Sequence, residues 1–191
     1  AINLAKYNRA EIEAKTGFLF CEKNILCTFH PQTVSKLNPE KQISEVLDGL
    51  AFFQEAAKFI SLPNADPGSG IIAEYIEEFS KTHPHVYLTQ NLGHRLYLSV
   101  MKEVDVVVGN SSSGIIEAPA MGVPTVNIGD RQNGREKAPS IVECSFDPKT
   151  IIKAIQTVFS KGKKPLLHKH PYYQKDTCNL MLSSIKKFLF C

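Results

Sequence analysis

The sequence predicts an α/β domain, a doubly wound parallel sheet with helices on both faces. Three observations predict it. Short apolar runs of strand length alternate with amphipathic stretches of helical length along most of the chain. Most of these runs end in a polar segment rich in turn residues, as strands do when a helix must follow. One run, Val104-Asp105-Val106-Val107-Val108, is almost continuously apolar, the mark of a central strand covered on both faces.

The elements follow in order. Asn8 caps a helix through Lys15, with Glu11 completing a capping box and Gly17 just past its end. Asn24 to Phe29 is a strand, stopped by His30-Pro31. Asn38-Pro39-Glu40 starts a second helix, which carries Ile43, Val46, Leu47, Leu50 and Phe53 on one side. Lys58 to Leu62 is a strand that breaks into a polar loop from Pro63 to Gly70. A helix from Ile71 to Lys81 precedes the strand His85 to Thr89, and a helix from Arg95 to Glu103 precedes the central strand. Gly109 to Gly114 reads as a turn, Ile115 to Met121 as a short helix containing Pro119, and Val123 to Ile128 as a strand. After a polar loop, Gly129 to Pro139, come a last strand at Ile141 to Ser145 and a helix at Pro148 to Phe159. Alternation of this kind requires parallel strands joined by crossover helices. Residues 1–160 therefore read as one domain; 161–191 read as a basic linker and a tail helix from Asn179 to Phe190, outside the alternation.

Composition bounds the function. With 43% apolar residues the chain can build a full core. A net charge of +3 is too small an excess to argue for nucleic acid, and the Lys161–Lys164 cluster reads as a solvated loop. The five cysteines, at 21, 27, 144, 178 and 191, are odd in number and lack a Cys-x-x-Cys pair. That pattern disfavours a disulfide framework or zinc site and fits reduced thiols in a cytoplasm. No apolar run reaches membrane-span length, so no membrane partner is expected. Ala1 to Arg9 lacks the apolar core of a signal peptide, and with no Met at its start the chain is expected to be part of something longer. No His/Asp/Glu metal spacing, no nucleophile elbow and no P-loop Lys-Ser/Thr is present, so neither a metal nor another cofactor is expected.

Ligands of open parallel sheets bind at the carboxyl ends of the strands. Four polar segments fall there: His30-Pro31, Asn64 to Ser69, Gly109 to Gly114 with Glu117, and Gly129 to Glu136. The serines Ser111, Ser112 and Ser113, set between glycines before a helix, exceed what a cap needs and favour an anion site. Glu117 is either a partner of the helix dipole or an acceptor for ribose hydroxyls. His30 reads first as a solvated strand end; the alternative is a donor to a phosphate or a sugar hydroxyl. The loop with Arg131 and Arg135 is either a solvated surface or a phosphate contact.

The motifs also carry a resemblance. Gly109-Asn110-Ser111-Ser112-Ser113-Gly114-Ile115-Ile116-Glu117 resembles the C-terminal signature of the hydrolysing UDP-N-acetylglucosamine 2-epimerases, as does Asn127 through Glu136. Thr28 through Thr33 and Pro63 through Ser69 are similar to two further segments of that family, in the same order. The resemblance implies a Rossmann-like half of a GT-B-type, two-domain enzyme that eliminates UDP from a UDP-sugar and adds water to give an N-acetylmannosamine-type sugar for sialic-acid-like synthesis. It implies that His30, Asn64, Ser111, Ser112 and Glu117 contact UDP, Glu117 at the ribose and the serines at the diphosphate. Asn91 falls where the family holds uracil through backbone groups, and Asp66 and Arg131 fall in the cleft. The catalytic carboxylates are expected in an N-terminal domain that this chain lacks, and the full-length enzyme is expected to be a homo-oligomer. The tail departs from the family pattern: Pro171-Tyr172-Tyr173-Gln174-Lys175-Asp176 has no glycine. Two other functions stay open, a non-hydrolysing epimerase and a nucleotide-binding module without catalysis.

Overall fold

The structure is a computed structural model, and it describes residues 2–32, 37–63, 67–163 and 169–189. Six strands, β1 (Asn24–Thr28), β2 (Ala57–Ser61), β3 (Val86–Thr89), β4 (Val106–Gly109), β5 (Thr125–Ile128) and β6 (Ile141–Cys144), form one sheet in the order β3-β2-β1-β4-β5-β6. Every pairing is parallel. All six strands read from the sequence are present in it.

Among the described residues, seven α-helices connect and flank these strands: α1 (Arg9–Thr16), α2 (Pro39–Ala51), α3 (Ser69–Thr82), α4 (Gly93–Glu103), α5 (Ser113–Ala120), α6 (Pro148–Lys161) and α7 (Thr177–Leu189). The local signals explain their bounds. Asn8 and Glu11 form the reciprocal capping box of α1, and Gly17 closes it in the left-handed conformation. Asn38 caps α2, with Pro39 inside its first turn. Two differences from the sequence reading are instructive. Helix α2 stops at Ala51, so Phe53 lies beyond it, yet its ring still packs on the core. Helix α5 starts at Ser113, so the last two residues read as turn are helical.

The period-2 alternation of the strands builds two cores. Ile25, Cys27, Val106 and Val108 face one side, against Ile43, Val46 and Leu50 of α2, Ile72 and Ile76 of α3, and Ile151 and Ile155 of α6. Leu26 and Val107 face the other, against Ile12 of α1, Leu98 and Met101 of α4, and Ala118 of α5. Each such side chain, fully buried, stabilises the fold by about 1.5–3 kcal/mol. At Gly49, a Cβ would come within 2.7 Å of Ile151, so glycine is what lets α2 and α6 pack this closely. Helix α7 stands apart, with no buried residue and with Leu182, Ile185 and Phe188 exposed.

The strand order places β1 and β4 side by side at the centre. Crossovers from β1 run one way through β2 and β3, and those from β4 run the other way through β5 and β6. A crevice therefore opens at the carboxyl ends of β1 and β4, the usual ligand position in open sheets of this order.

Candidate functional site

The two central strands deliver His30 and the serine turn to opposite lips of that crevice. Register aligns Thr28 of β1 with Gly109 of β4. Gly109 has φ +132°, and a Cβ there would drive into the Thr28 carbonyl, so only glycine lets the two strand ends lie this close. Asn110, fully buried, then ties the lips together. Its Oδ1 accepts from the His30 backbone N–H at 2.8 Å, and its Nδ2 donates to the His30 carbonyl at 2.8 Å. The amide thus imitates one rung of a β ladder just where the strands have ended.

Further side-chain amides extend this frame. Gln132 Nε2 and Arg131 donate to the Asn110 carbonyl at 2.7 and 3.2 Å. With its amide turned to match its neighbours, Gln32 donates to Asp130 Oδ1 at 3.0 Å and accepts from the Arg131 N–H at 2.8 Å. Gln42 of α2 in turn accepts from the Gln32 N–H at 2.9 Å and donates to its carbonyl at 3.1 Å. The loops after β1, β4 and β5 are therefore held as one rigid rim. Arg131 reaches this rim through its guanidinium, although the residue is largely exposed.

A cavity of about 270 Å³ sits in the crevice, bounded by His30, Asn91, Tyr97, Ser111 and Ser113 among others. His30 is buried, with 8% of its surface exposed, so the reading of a solvated strand end is corrected. It follows a buried strand and is held by Asn110, a contact between positions too far apart for a local reading to find. Asn91 lines the cavity, and its Oδ1 accepts from the Gly93 N–H at 2.7 Å, shaping the turn into α4. Ser112 is the N-cap of α5, yet it makes no side-chain cap hydrogen bond. Ser111 accepts from the Ser113 hydroxyl at 3.1 Å and from the Ser113 N–H at 3.4 Å. Neither Ser112 nor Glu117 lines the cavity wall itself. Glu117 sits one turn into α5, close enough for its charge to act on the Tyr97 hydroxyl. Asn64 and Asp66 lie outside the described residues.

Tyr97 was not singled out from the sequence, where it reads as one more apolar position of α4. Its hydroxyl meets Ser113 at 2.7 Å and Thr28 at 3.2 Å. Burial, chiefly, raises its pKa above the ordinary phenol value, with a smaller push from Glu117 and with the hydroxyl contacts opposing. It therefore stays a neutral hydroxyl at physiological pH, able to donate or to accept. Among the described residues, no group of three or more His, Cys, Asp or Glu is placed to hold a metal. What the site offers is hydroxyls and a helix N-terminus, a donor set suited to an anion.

The family model described as UDP-N-acetylglucosamine 2-epimerase matches residues 2–186. The chain belongs to this family. An Escherichia coli relative named polysialic acid biosynthesis protein P7 is 33% identical over 194 residues, covering 99% of this chain and 49% of the relative. A Campylobacter jejuni relative named GDP/UDP-N,N'-diacetylbacillosamine 2-epimerase (hydrolyzing) is 33% identical over 146 residues, covering 76% of this chain and 38% of the relative. This epimerase-family chain thus spans half or less of the length of these relatives. Among solved structures, Methanocaldococcus jannaschii UDP-GlcNAc 2-epimerase in complex with UDP-GlcNAc and UDP superposes with a TM-score of 0.68 at 14% identity, over 97% of this chain and 50% of that one. At that identity the likeness speaks for the fold, and it is the Rossmann-like fold described above.

Proposed function

We propose that this chain is the UDP-binding half of a hydrolysing UDP-N-acetylglucosamine 2-epimerase. In this reading residues 1–160 form the UDP-binding domain, and 161–191 form a linker and tail helix. The observation that carries it is the serine turn. It lies at the switch point of the sheet, beside a cavity, and its N-cap residue Ser112 makes no side-chain cap hydrogen bond. Diphosphate meets Ser111, Ser112 and Ser113 at the N-terminus of α5, where the helix dipole favours negative charge. Glu117 takes the ribose hydroxyls, and His30 and Arg131 complete the rim, with Asn64, Asp66 and Asn91 as further contacts. UDP leaves the sugar carrying developing negative charge. Donors already fixed in place stabilise that charge without reorganising, which is worth most in a site shielded from water.

Elimination of UDP and addition of water need acid–base groups on the sugar side. In this reading they come from a second domain facing this one across a cleft, in the manner of GT-B enzymes. The product is an N-acetylmannosamine-type sugar for sialic-acid-like synthesis. The names of the two curated relatives support this direction, one being hydrolysing and the other belonging to polysialic acid biosynthesis. A product assay with the full-length enzyme and UDP-N-acetylglucosamine tests the reading. Free UDP and free amino sugar are expected. An epimerised sugar still attached to UDP would show the non-hydrolysing reaction instead.

A further inference from the structure

Five hydroxyls run in an unbroken file from the serine turn across the switch point. Ser111 and Ser113 stand 3.1 Å apart, Ser113 and Tyr97 2.7 Å, Tyr97 and Thr28 3.2 Å, and Thr28 and Ser61 of β2 2.8 Å. The far end is a long 3.5 Å contact from Ser61 to the Cys27 carbonyl. Each hydroxyl has one proton to give. Ser113 donates towards the turn and Ser61 away from it, while the three bonds between them can point either way, so whatever sits at the ends selects their direction.

We propose that Tyr97 is a positioning residue of the anion site, passing hydrogen-bond direction from Thr28 to Ser113 so that the serine turn presents its protons to the bound diphosphate. The inference rests on the reading of that turn as the diphosphate site. Once Ser111 gives its proton to an anion, it has none for Ser113. Ser113 then gives its own proton either to Ser111 or to the anion. In both cases Ser113 can only accept from Tyr97, so the phenol must donate to it. Thr28 then donates to Tyr97, and Ser61 to Thr28. The contact given up is the longest in the file, from Ser61 to the Cys27 carbonyl, so this alignment costs little. A file aligned in one sense strengthens each of its members as donors, and the last of them faces the ligand.

The test compares the intact protein with its Tyr97→Phe variant, which keeps the ring and removes the hydroxyl. Thermal melting first verifies that the variant is folded. UDP and uridine are then titrated separately, by calorimetry and by ligand-observed NMR. Tyr97→Phe is expected to weaken UDP by about two- to tenfold, the size of one neutral hydrogen bond, and to leave uridine within twofold. In the Ser113→Ala background the same substitution is expected to have no further effect, since the two hydroxyls act in series. Unchanged UDP affinity, an equal loss for uridine, or additive losses in the double variant would each overturn the proposal. Ser111→Ala separates the two levels of the argument. If it weakens UDP while Tyr97→Phe does not, only the role of Tyr97 falls. If it leaves UDP unchanged, the diphosphate reading of the turn falls with it.

Discussion

Replacing Asn110 by Ala tests the frame on which the site is built. The side chain is fully buried and makes two 2.8 Å hydrogen bonds to one residue, the backbone N–H and carbonyl of His30. Alanine removes both partners at once and leaves two buried main-chain groups behind. An abandoned buried donor or acceptor costs about 1–3 kcal/mol, so the loss for the two should fall at about 2–6 kcal/mol. Against a total stability of about 5–15 kcal/mol for a typical domain, that is a large fraction. Urea denaturation followed by circular dichroism measures it, with an unchanged m-value showing that both variants unfold alike. The Asn110→Asp variant adds a signature. It keeps the acceptor for His30 N–H but sets a carboxylate oxygen against the His30 carbonyl. Protonation turns that oxygen into a donor, so the folded state raises the carboxyl pKa, and the variant should regain stability as pH falls. A cost below about 1 kcal/mol for Asn110→Ala, or an Asn110→Asp variant indifferent to acid, would refute the claim that this amide joins the strand ends.

Three further outcomes are expected. In the full-length enzyme, Glu117→Ala should weaken UDP by about 1–3 kcal/mol, the loss of charged hydrogen bonds to ribose, and calorimetry showing equal affinity would remove Glu117 from the site. Burial raises the thiols of Cys27 and Cys144 from 9.0 to about 12, whereas Cys178 is exposed on α7. Iodoacetamide at pH 8 should therefore label Cys178 and spare those two in the native protein, as peptide mass spectrometry would show. Between pH 9 and about 12 the unfolded chain ionises these thiols and the folded one does not, so stability should fall as pH rises through that window. Finally, the 191-residue chain by itself should release no UDP from UDP-N-acetylglucosamine, because in the proposed reading the acid–base groups come from a second domain; release at the rate of the full-length enzyme would place those groups within it.

Much of the architecture was legible because it rests on local rules. Asn8 with Glu11, and Asn38 with Pro39, announce helix starts through bonds that span three residues. The valine run of β4 announces a doubly covered strand by composition alone. The turn after β4 was legible for a similar reason, since small polar residues between glycines mark a break between strand and helix. What escaped the sequence is what depends on distant partners. Asn110 stood in plain view inside the turn, but its partner His30 is 80 positions away. Gln32, Gln42 and Gln132 read as ordinary polar residues because a buried amide announces nothing until its acceptor is known. Tyr97 was concealed by its ring, which satisfies the apolar face of α4, while its hydroxyl faces the cavity. The start of α5 was misplaced by two residues because Ser113 and Gly114 are poor helix formers, and the backbone bonds to Ser111 and Ser112 override that preference.

The close seam between β1 and β4 also has a kinetic meaning. Every route along the backbone from one lip of the crevice to the other passes through β2, β3 and two full crossover helices, α2 and α3, before reaching α4. Contacts across so long a loop are non-local and slow to close, so the seam is expected to form late in folding. Neither lip has its geometry until that stage is complete. Recovery of nucleotide binding during refolding would then lag behind recovery of helix signal, and affinity would report on the finished sheet rather than on its parts.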